Sequence, residues 1–229
     1  MSIKHTINYN DHQFTLNISE LSGKLSGFHA ITTSCLDNKN CERLSKIPGS
    51  ICSLCYAAKG HKRYKAAREY AINNGILLSS FIIPWDQLPI INDLYFRFES
   101  HGDLKNETQL INYINIARKN PETHFALWTK HYHIIIGYLK KGGIYPANMQ
   151  LLLSSPFVNK DLSKQFIDYI ASFPGIARKQ IKAFTVYDRE YAAAHNIDVN
   201  CCDGITARRC IKCLVCYKNN PVDDVMIIN

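Results

Sequence analysis

The nine cysteines of this 229-residue chain fall into two groups, one near each end. The first group is Cys35, Cys41, Cys52 and Cys55, and the second is Cys201, Cys202, Cys210, Cys213 and Cys216. Cysteines that only fill a hydrophobic core would be scattered along the chain, whereas thiolates that bind a metal must be brought together. The grouping therefore predicts that these side chains are metal ligands.

The second group contains a Cys-x2-Cys-x2-Cys run at positions 210, 213 and 216. This spacing is typical of a short segment that presents three thiolates to an iron–sulfur cluster. Tetrahedral zinc, with Zn–S bonds of about 2.3 Å, needs its sulfur ligands closer together than a cubane does. The run favours [4Fe-4S] clusters, one or two per chain. Two clusters with four cysteine ligands each would leave one spare, and Cys201 and Cys202 are the candidates for it because they are adjacent.

Three alternatives stay open for the cysteines. Zinc could take four thiolates, for example those of the Cys52/Cys55 and Cys213/Cys216 pairs. One cysteine could be a buried free thiol. Disulfides are disfavoured by the odd cysteine number and by the N-terminus, which has no apolar segment of the signal-peptide kind. We therefore expect a cytoplasmic protein. No run of residues is long and apolar enough to span a membrane, so no membrane partner is expected.

Composition indicates a folded protein with a basic surface. The chain has a mass of 26.1 kDa, and 46% of its residues are hydrophobic and 11% aromatic. We predict a single α/β domain over residues 1–229, with cysteine cluster loops at 35–55 and 201–217. The formal net charge is +8, with a pI of about 9.0, which permits a nucleic-acid partner.

A basic run occupies residues 59–65 and continues to Arg68. Lys62, Arg63 and Arg68 are candidate anion-binding residues, for a phosphate, a nucleic acid or a carboxylate near a cluster. Such runs are also common on the solvated faces of charged helices, and this second interpretation stays open.

Alternating strands and helices predict a mostly parallel sheet. We predict strands at 28–33, 94–98, 124–129, 150–154 and 181–186. We predict helices at 56–80, 109–119, 132–141, 162–173 and 189–195, and a loop at 39–49. Five or six βα units are too few for a closed eightfold barrel, so the prediction is a partial (β/α) barrel or an open, mostly parallel α/β sheet.

Polar residues follow the predicted strands, at the sheet edge where α/β proteins place their sites. Glu99, His101 and Asp103 follow the strand at 94–98, and Lys130 follows the next one. These four are candidate catalytic residues. Asp103 could equally cap a helix, and Glu99 could pair across neighbouring strands.

Several segments, taken in order, resemble phage-encoded proteins related to the mycobacteriophage gene product 88 family. They are residues 30–35, Cys41, 51–57, 97–104, 116–118, 120–121, 125–130 and 210–217. The resemblance implies a radical-SAM-like partial barrel that holds iron–sulfur clusters, in the host cytoplasm. It implies that the cysteines of both groups are cluster ligands, with Cys201 or Cys202 completing the second set, and that Asp103 and Lys130 lie in a pocket.

One spacing departs from the radical-SAM pattern. Such enzymes use Cys-x3-Cys-x2-Cys, which leaves one iron open for S-adenosylmethionine, whereas here the spacing is Cys-x5-Cys-x10-Cys-x2-Cys. Four ligands would close the cluster. The leading hypothesis is therefore a redox protein that exchanges electrons with a donor or acceptor whose identity the sequence does not specify. A radical-SAM-like enzyme with an open cluster and a nucleic-acid-binding protein with structural iron–sulfur or zinc sites are the alternatives.

Overall fold

The computed structural model describes residues 2–197, 202–203, 210–218 and 224–228, with the backbone alone described at 202–203 and 224–228. The roles predicted for the side chains of Cys201 and Cys202 lie outside this description. The other seven cysteines are described, and all seven are free thiols.

One open sheet of nine strands runs through the described structure, in the order β1-β2-β3-β4-β5-β6-β7-β9-β8. The strands are β1 (Ile3–Tyr9), β2 (His12–Glu20), β3 (His29–Ile31), β4 (Tyr95–Phe98), β5 (His124–Thr129), β6 (Met149–Ser154), β7 (Ile181–Tyr187), β8 (Cys202–Asp203) and β9 (Asp224–Ile228). The first two strands pair antiparallel with each other and with β3, and every later pairing is parallel. The predicted open, mostly parallel sheet is confirmed.

Within the described residues, eight α-helices connect or flank these strands. They are α1 (Lys39–Ser45), α2 (Tyr56–Arg63), α3 (Lys65–Ser80), α4 (Glu107–Lys119), α5 (Tyr132–Lys140), α6 (Lys164–Ala171), α7 (Arg189–Ala194) and α8 (Cys210–Cys213). From β3 to β7 the strands follow one another across the sheet in chain order, so right-handed crossovers place the connecting helices on the same face. The other face is left for different segments to cover.

Two local predictions are wrong, and one element was not predicted. The predicted loop at 39–49 contains α1, which begins because the Asn38 side chain accepts hydrogen bonds from the backbone N–H groups of Asn40 and Cys41. The helix predicted at 56–80, with Gly60 or Gly75 as the possible points of a break, is two helices that break instead at Tyr64, where the backbone is extended. The N-terminal hairpin β1–β2 was not predicted; its turn places Asn10 and Asp11 in the left-handed region, which these residues tolerate.

The cysteine segments are also less loop-like than predicted. Cys41 lies in α1, Cys52 lies in a 3-10 turn (Ile51–Leu54), and Cys210 and Cys213 lie in α8. Short helical turns suit this sequence because a one-turn spacing brings side chains three residues apart onto one side.

The two faces of the sheet carry different layers. On β4, Phe96 and Phe98 point into the main core that the helices cover, together with Phe125 and Leu127 of β5. Side chains alternate along a strand, so the residues between these point to the opposite face. There a second cluster is built from Phe28, Ala126, Trp128, Leu152 and Tyr217. The C-terminal cysteine segment covers part of this second face.

Among the helices of the described residues, none combines the length and the apolar character that a membrane span requires.

Candidate functional site

A cavity of about 440 Å³ lies at the carboxyl edge of the parallel sheet. Both cysteine groups contribute to its wall, Cys55 from the first and Cys210, Cys213 and Cys216 from the second. The two groups are far apart in the sequence, and the fold brings these four cysteines to one space, whereas Cys35, Cys41 and Cys52 do not line it. All four of the predicted catalytic residues, Glu99, His101, Asp103 and Lys130, also line it.

The C-terminal cysteines reach the cavity because an aromatic side chain anchors their segment to the sheet. Tyr217 is only 3% exposed, and its ring stacks on Phe28 with centroids 5.0 Å apart. Leu214 adopts a positive φ of 57°, and its N–H donates to the Cys210 carbonyl at 2.9 Å. This turn ends α8 and directs the chain to the Tyr217 anchor.

The N-terminal cysteines are held by side-chain caps. The Ser50 hydroxyl accepts from the N–H of Cys52 at 3.1 Å, which starts the 3-10 turn. Asn38, besides capping α1, donates to the carbonyls of Asp103 and Leu104 at 2.8 and 3.1 Å. The first cysteine group is therefore fixed to the loop that follows β4.

Cys35 and Cys55 form a hydrogen-bonded pair. The Cys35 thiol donates to Cys55, and this bond lowers the pKa of Cys55 to about 6. Backbone N–H groups of Ala57 and Ala58 at the start of α2 act in the same direction. The same hydrogen bond to Cys55, together with burial, raises the pKa of Cys35. Cys55 is thus the thiolate of the pair near neutral pH, and thiolates are the form that binds metals.

The other two thiols of the first group are also buried. Burial raises the pKa of Cys41 and of Cys52, and the positive charge of Lys130 opposes the increase at both. Lys130 also lowers the pKa of Cys55. The Lys130 ammonium group therefore faces three of the four cysteines and would stabilise their thiolate forms.

Asp103 positions Lys130 and has little acceptor capacity left for a ligand. Its Oδ1 accepts from the N–H of Leu104 at 2.8 Å and from the Thr129 hydroxyl at 2.5 Å, and its Oδ2 accepts from the N–H of Lys130 at 2.9 Å. The carboxylate joins the ends of β4 and β5. The preceding Gly102 has φ of +71°, and a Cβ there would lie 2.4 Å from the Thr33 carbonyl oxygen.

Glu99 is a buried carboxyl, 2% exposed, at a φ of 59° that non-glycine residues rarely adopt. The Thr33 hydroxyl and N–H, the Gln109 amide and the Tyr113 hydroxyl all donate to it, with the shortest of these bonds 2.6 Å long. Burial outweighs these donors and raises its pKa to about 8. The positive φ of Glu99 at the end of β4 is a strained backbone conformation, and such strain is characteristic of sites that the surrounding structure holds in place.

The raised pKa of the Glu99 carboxyl leads to a prediction of how the stability of the protein depends on pH. The pKa of Glu99 is higher in the folded protein than the usual value of 4.5, so the folded state retains a proton that the unfolded state releases. We expect its contribution to the free energy of unfolding to decline as the pH rises from about 4.5 to about 8. Thermal denaturation of wild type and Glu99→Gln across this range checks this.

Glu99→Gln should show a flatter dependence on pH over that interval because the amide does not titrate. Glu107→Gln, at a half-exposed position on α4, is the control and should keep the wild-type slope. If the slope of Glu99→Gln equals that of wild type, the buried carboxyl is already ionised in the folded protein.

His101 and His61 form an aromatic group beside the first cysteines. Burial lowers the pKa of His101 to about 4, and its ring contacts those of His61 and Tyr56 with centroids 5.6 Å apart in each case. The His61 Nδ1 lies 3.9 Å from the Cys35 Sγ. His101 is neutral at physiological pH and could act as a hydrogen-bond donor or acceptor in the cavity wall.

The three predicted anion-binding residues do not line the cavity. Lys62 and Arg63 are exposed in the last turn of α2, and Arg68 is half-buried in α3. Their predicted role stays a prediction, and the exposure of the first two is what a solvated helix face would show.

The candidate sites chosen from the sequence did not include several cavity residues, among them Lys24, Tyr56, Arg97, Trp128 and Tyr217. Two of these could have been found from the period-two alternation of their strands. Arg97 stands between two phenylalanines and Trp128 between Leu127 and Thr129, so each points away from the helix-covered core. Lys24 and Tyr217 come from segments that only the tertiary structure brings to the sheet.

The donors at and beside the cavity include several thiols, whose thiolate forms can ligate a metal ion or an iron–sulfur cluster. Among the residues described, no three or more His, Cys, Asp or Glu side chains are gathered as a metal-ion site requires. Cluster ligands stand further apart than those of a single ion, and [4Fe-4S] clusters take four cysteines. Seven described free thiols, one of them acidic, at or beside one cavity provide ligands of the right type.

The fold and the site together define an α/β protein with an open parallel sheet and a cysteine-lined cavity at its carboxyl edge. The family model described as gene product 88 matches residues 6–219, and the chain belongs to that phage gene product family. Comparison with curated proteins and with solved structures gives no match.

Proposed function

We propose that this protein is an iron–sulfur protein that transfers electrons, with its [4Fe-4S] cluster or clusters at the carboxyl edge of the sheet. The observation that carries the proposal is the convergence of both cysteine groups on one cavity. When bound, such a cluster would supply one-electron redox chemistry.

The residues of the chain would hold and tune the cluster. Cys35, Cys41, Cys52 and Cys55 would form one ligand set, and Cys210, Cys213 and Cys216 most of another. The charge of Lys130 acts on thiols of the first set. In the second set burial raises the pKa of Cys210, and the charge of Arg97 opposes that increase. Positive charge next to thiolate ligands favours the more negative, reduced form of a cluster and would raise its potential.

A radical-SAM-like organisation is part of the proposal. Strands β3 to β7 follow one another in chain order with helices on one face, which is the arrangement of a (β/α) barrel, here left open. The cysteine spacing still disfavours an open iron for S-adenosylmethionine. An electron paramagnetic resonance spectrum of the reduced protein that changes on addition of this compound would favour the enzyme alternative. The family suggests a host-cytoplasm location.

The test is the iron, zinc and acid-labile sulfide content of protein purified without oxygen, followed by redox titration. We expect about eight iron and eight sulfide per chain for two cubanes, or about four of each for one, together with reversible reduction. Ser53→Ala, at an exposed position between two cysteines, is the control and should keep the full content. Zinc without sulfide, or a cluster that shows no reversible reduction, would contradict the proposal.

A further inference from the structure

We propose that the cavity also binds a small organic carboxylate with an apolar body, held by Arg97 and Tyr217. The carboxylate would lie in the same cavity as the proposed cluster. The proposal depends only on the described side chains and not on a cluster being bound.

Arg97 presents its guanidinium from the middle of β4. The group lies over the Trp128 ring, 3.7 Å from the ring centroid, which fixes its plane by cation–π stacking. Its Nε atom is buried and has no hydrogen-bond partner. None of the ion pairs among the described side chains involves Arg97. A planar cation held in this way is suited to a carboxylate.

Tyr217 supplies a second donor from a different segment. Its hydroxyl is buried and makes no hydrogen bond of ordinary geometry; burial raises its pKa, and the nearby Arg97 side chain opposes that increase. Its ring is fixed between Phe28 and Trp128, with centroids 5.0 and 6.0 Å away. A buried hydroxyl without a partner costs about 1–3 kcal/mol. Two unsatisfied donors, one on β4 and one on the C-terminal segment, line the same cavity, which points to an acceptor that both would share.

The charges of the lining favour an anion. Lys24, Arg97 and Lys130 provide three positive charges. The two carboxyl groups of the lining are engaged elsewhere, Glu99 by Thr33, Gln109 and Tyr113, and Asp103 by the ends of two strands. Neither pairs with Arg97, so no carboxylate of the described residues neutralises its charge; thiolate ligands in the same lining would offset part of the positive charge when a cluster is bound.

The rest of the wall favours an apolar ligand body. Leu25, Phe184, Val186, Leu214 and Val215 line the cavity beside the two aromatic residues. The volume of about 440 Å³ lies within the range of small-molecule sites, which combine apolar walls with a few fixed polar groups. A phosphate ion alone would leave these apolar walls without contacts.

Titration calorimetry of the full chain, purified without oxygen, with benzoate as the probe tests the proposal. We expect benzoate to bind at least tenfold more tightly than benzamide, its neutral isostere, and more tightly than inorganic phosphate. Equal affinity for benzoate and benzamide would overturn the role of charge. Phosphate binding as tight as that of benzoate would overturn the role of the apolar wall.

Two variants locate the site. Arg97→Gln should weaken benzoate binding at least tenfold, and Arg118→Gln, an exposed arginine of α4, should leave it unchanged. Tyr217→Phe should weaken binding several-fold while its melting temperature stays the same or rises, because the hydroxyl has no partner to lose.

Three results would contradict the proposal. One is benzoate affinity that Arg97→Gln leaves unchanged, which would mean that Arg97 serves only to balance the charge of cysteine ligands. Another is a Tyr217→Phe protein that melts at a lower temperature and binds benzoate normally. The third is absence of benzoate binding. Because the iron content is measured separately, failure of the carboxylate-binding proposal can be distinguished from failure of the iron–sulfur proposal.

Discussion

Replacing Asp103 by alanine is expected to lower the free energy of unfolding by about 3–5 kcal/mol. The carboxylate accepts three hydrogen bonds, from the N–H of Leu104, the Thr129 hydroxyl and the N–H of Lys130. Alanine would leave these buried donors without an acceptor and would free the end of β5 from the loop after β4. Urea denaturation of the two proteins, in the same metal state, measures the difference.

Two further variants separate the hydrogen bonds from nonspecific effects. Asp103→Asn keeps the oxygen that accepts from Leu104 and Thr129 and loses the bond from the Lys130 N–H, so its destabilisation should be about 1–2 kcal/mol. Asp86→Ala, at an exposed position, should stay within about 0.5 kcal/mol of wild type. If Asp103→Ala is as stable as Asp86→Ala, the three bonds do not hold the strand ends together.

Replacing Cys213 by alanine is expected to remove bound iron and to lower the yield of soluble protein. If two clusters are bound, iron per chain should fall by about half, and if one is bound it should fall close to zero, since each cubane takes four cysteines. Ligation contributes to folding, because metal-binding free energy becomes folding free energy. Iron and sulfide analysis, with the soluble yield from equal cultures, measures both effects.

The control for this variant is Lys212→Ala, whose side chain is exposed one residue away on α8. It should keep the wild-type iron content and yield. A Cys213→Ala protein with normal yield and a full complement of iron would show that this cysteine is not a ligand.

The sequence predicted most of the central fold. The strand at 124–129 has the predicted bounds in the structure, and β4, β6 and β7 differ from their predictions by one residue at one end. These strands alternate with helices whose apolar spacing is regular, and this pattern alone implies a parallel sheet. The N-terminal hairpin and α1 were missed because a half-exposed edge hairpin and a seven-residue capped helix lack a long periodic pattern.

The candidate site was predicted in part. The rule that function gathers at the carboxyl ends of parallel strands placed Glu99, His101, Asp103 and Lys130 at one edge, and all four line the cavity. The same rule does not reveal that the Asp103 oxygens accept bonds from strand ends, or that Glu99 is buried among four donors. Those properties depend on contacts between residues 10 to 66 positions apart.

What the sequence by itself determined is the chemistry: two groups of thiols, their spacing, and the strands whose ends carry polar side chains. Local pattern is sufficient there, because periodicity and ligand spacing are properties of neighbouring residues. Only the tertiary structure decided that the two cysteine groups share a cavity, since Tyr217 must pack on Phe28 and Trp128 to bring the C-terminal segment across the sheet. Contacts at that sequence separation arise from packing of side chains of distant segments on one face of the sheet, which no short-range pattern encodes.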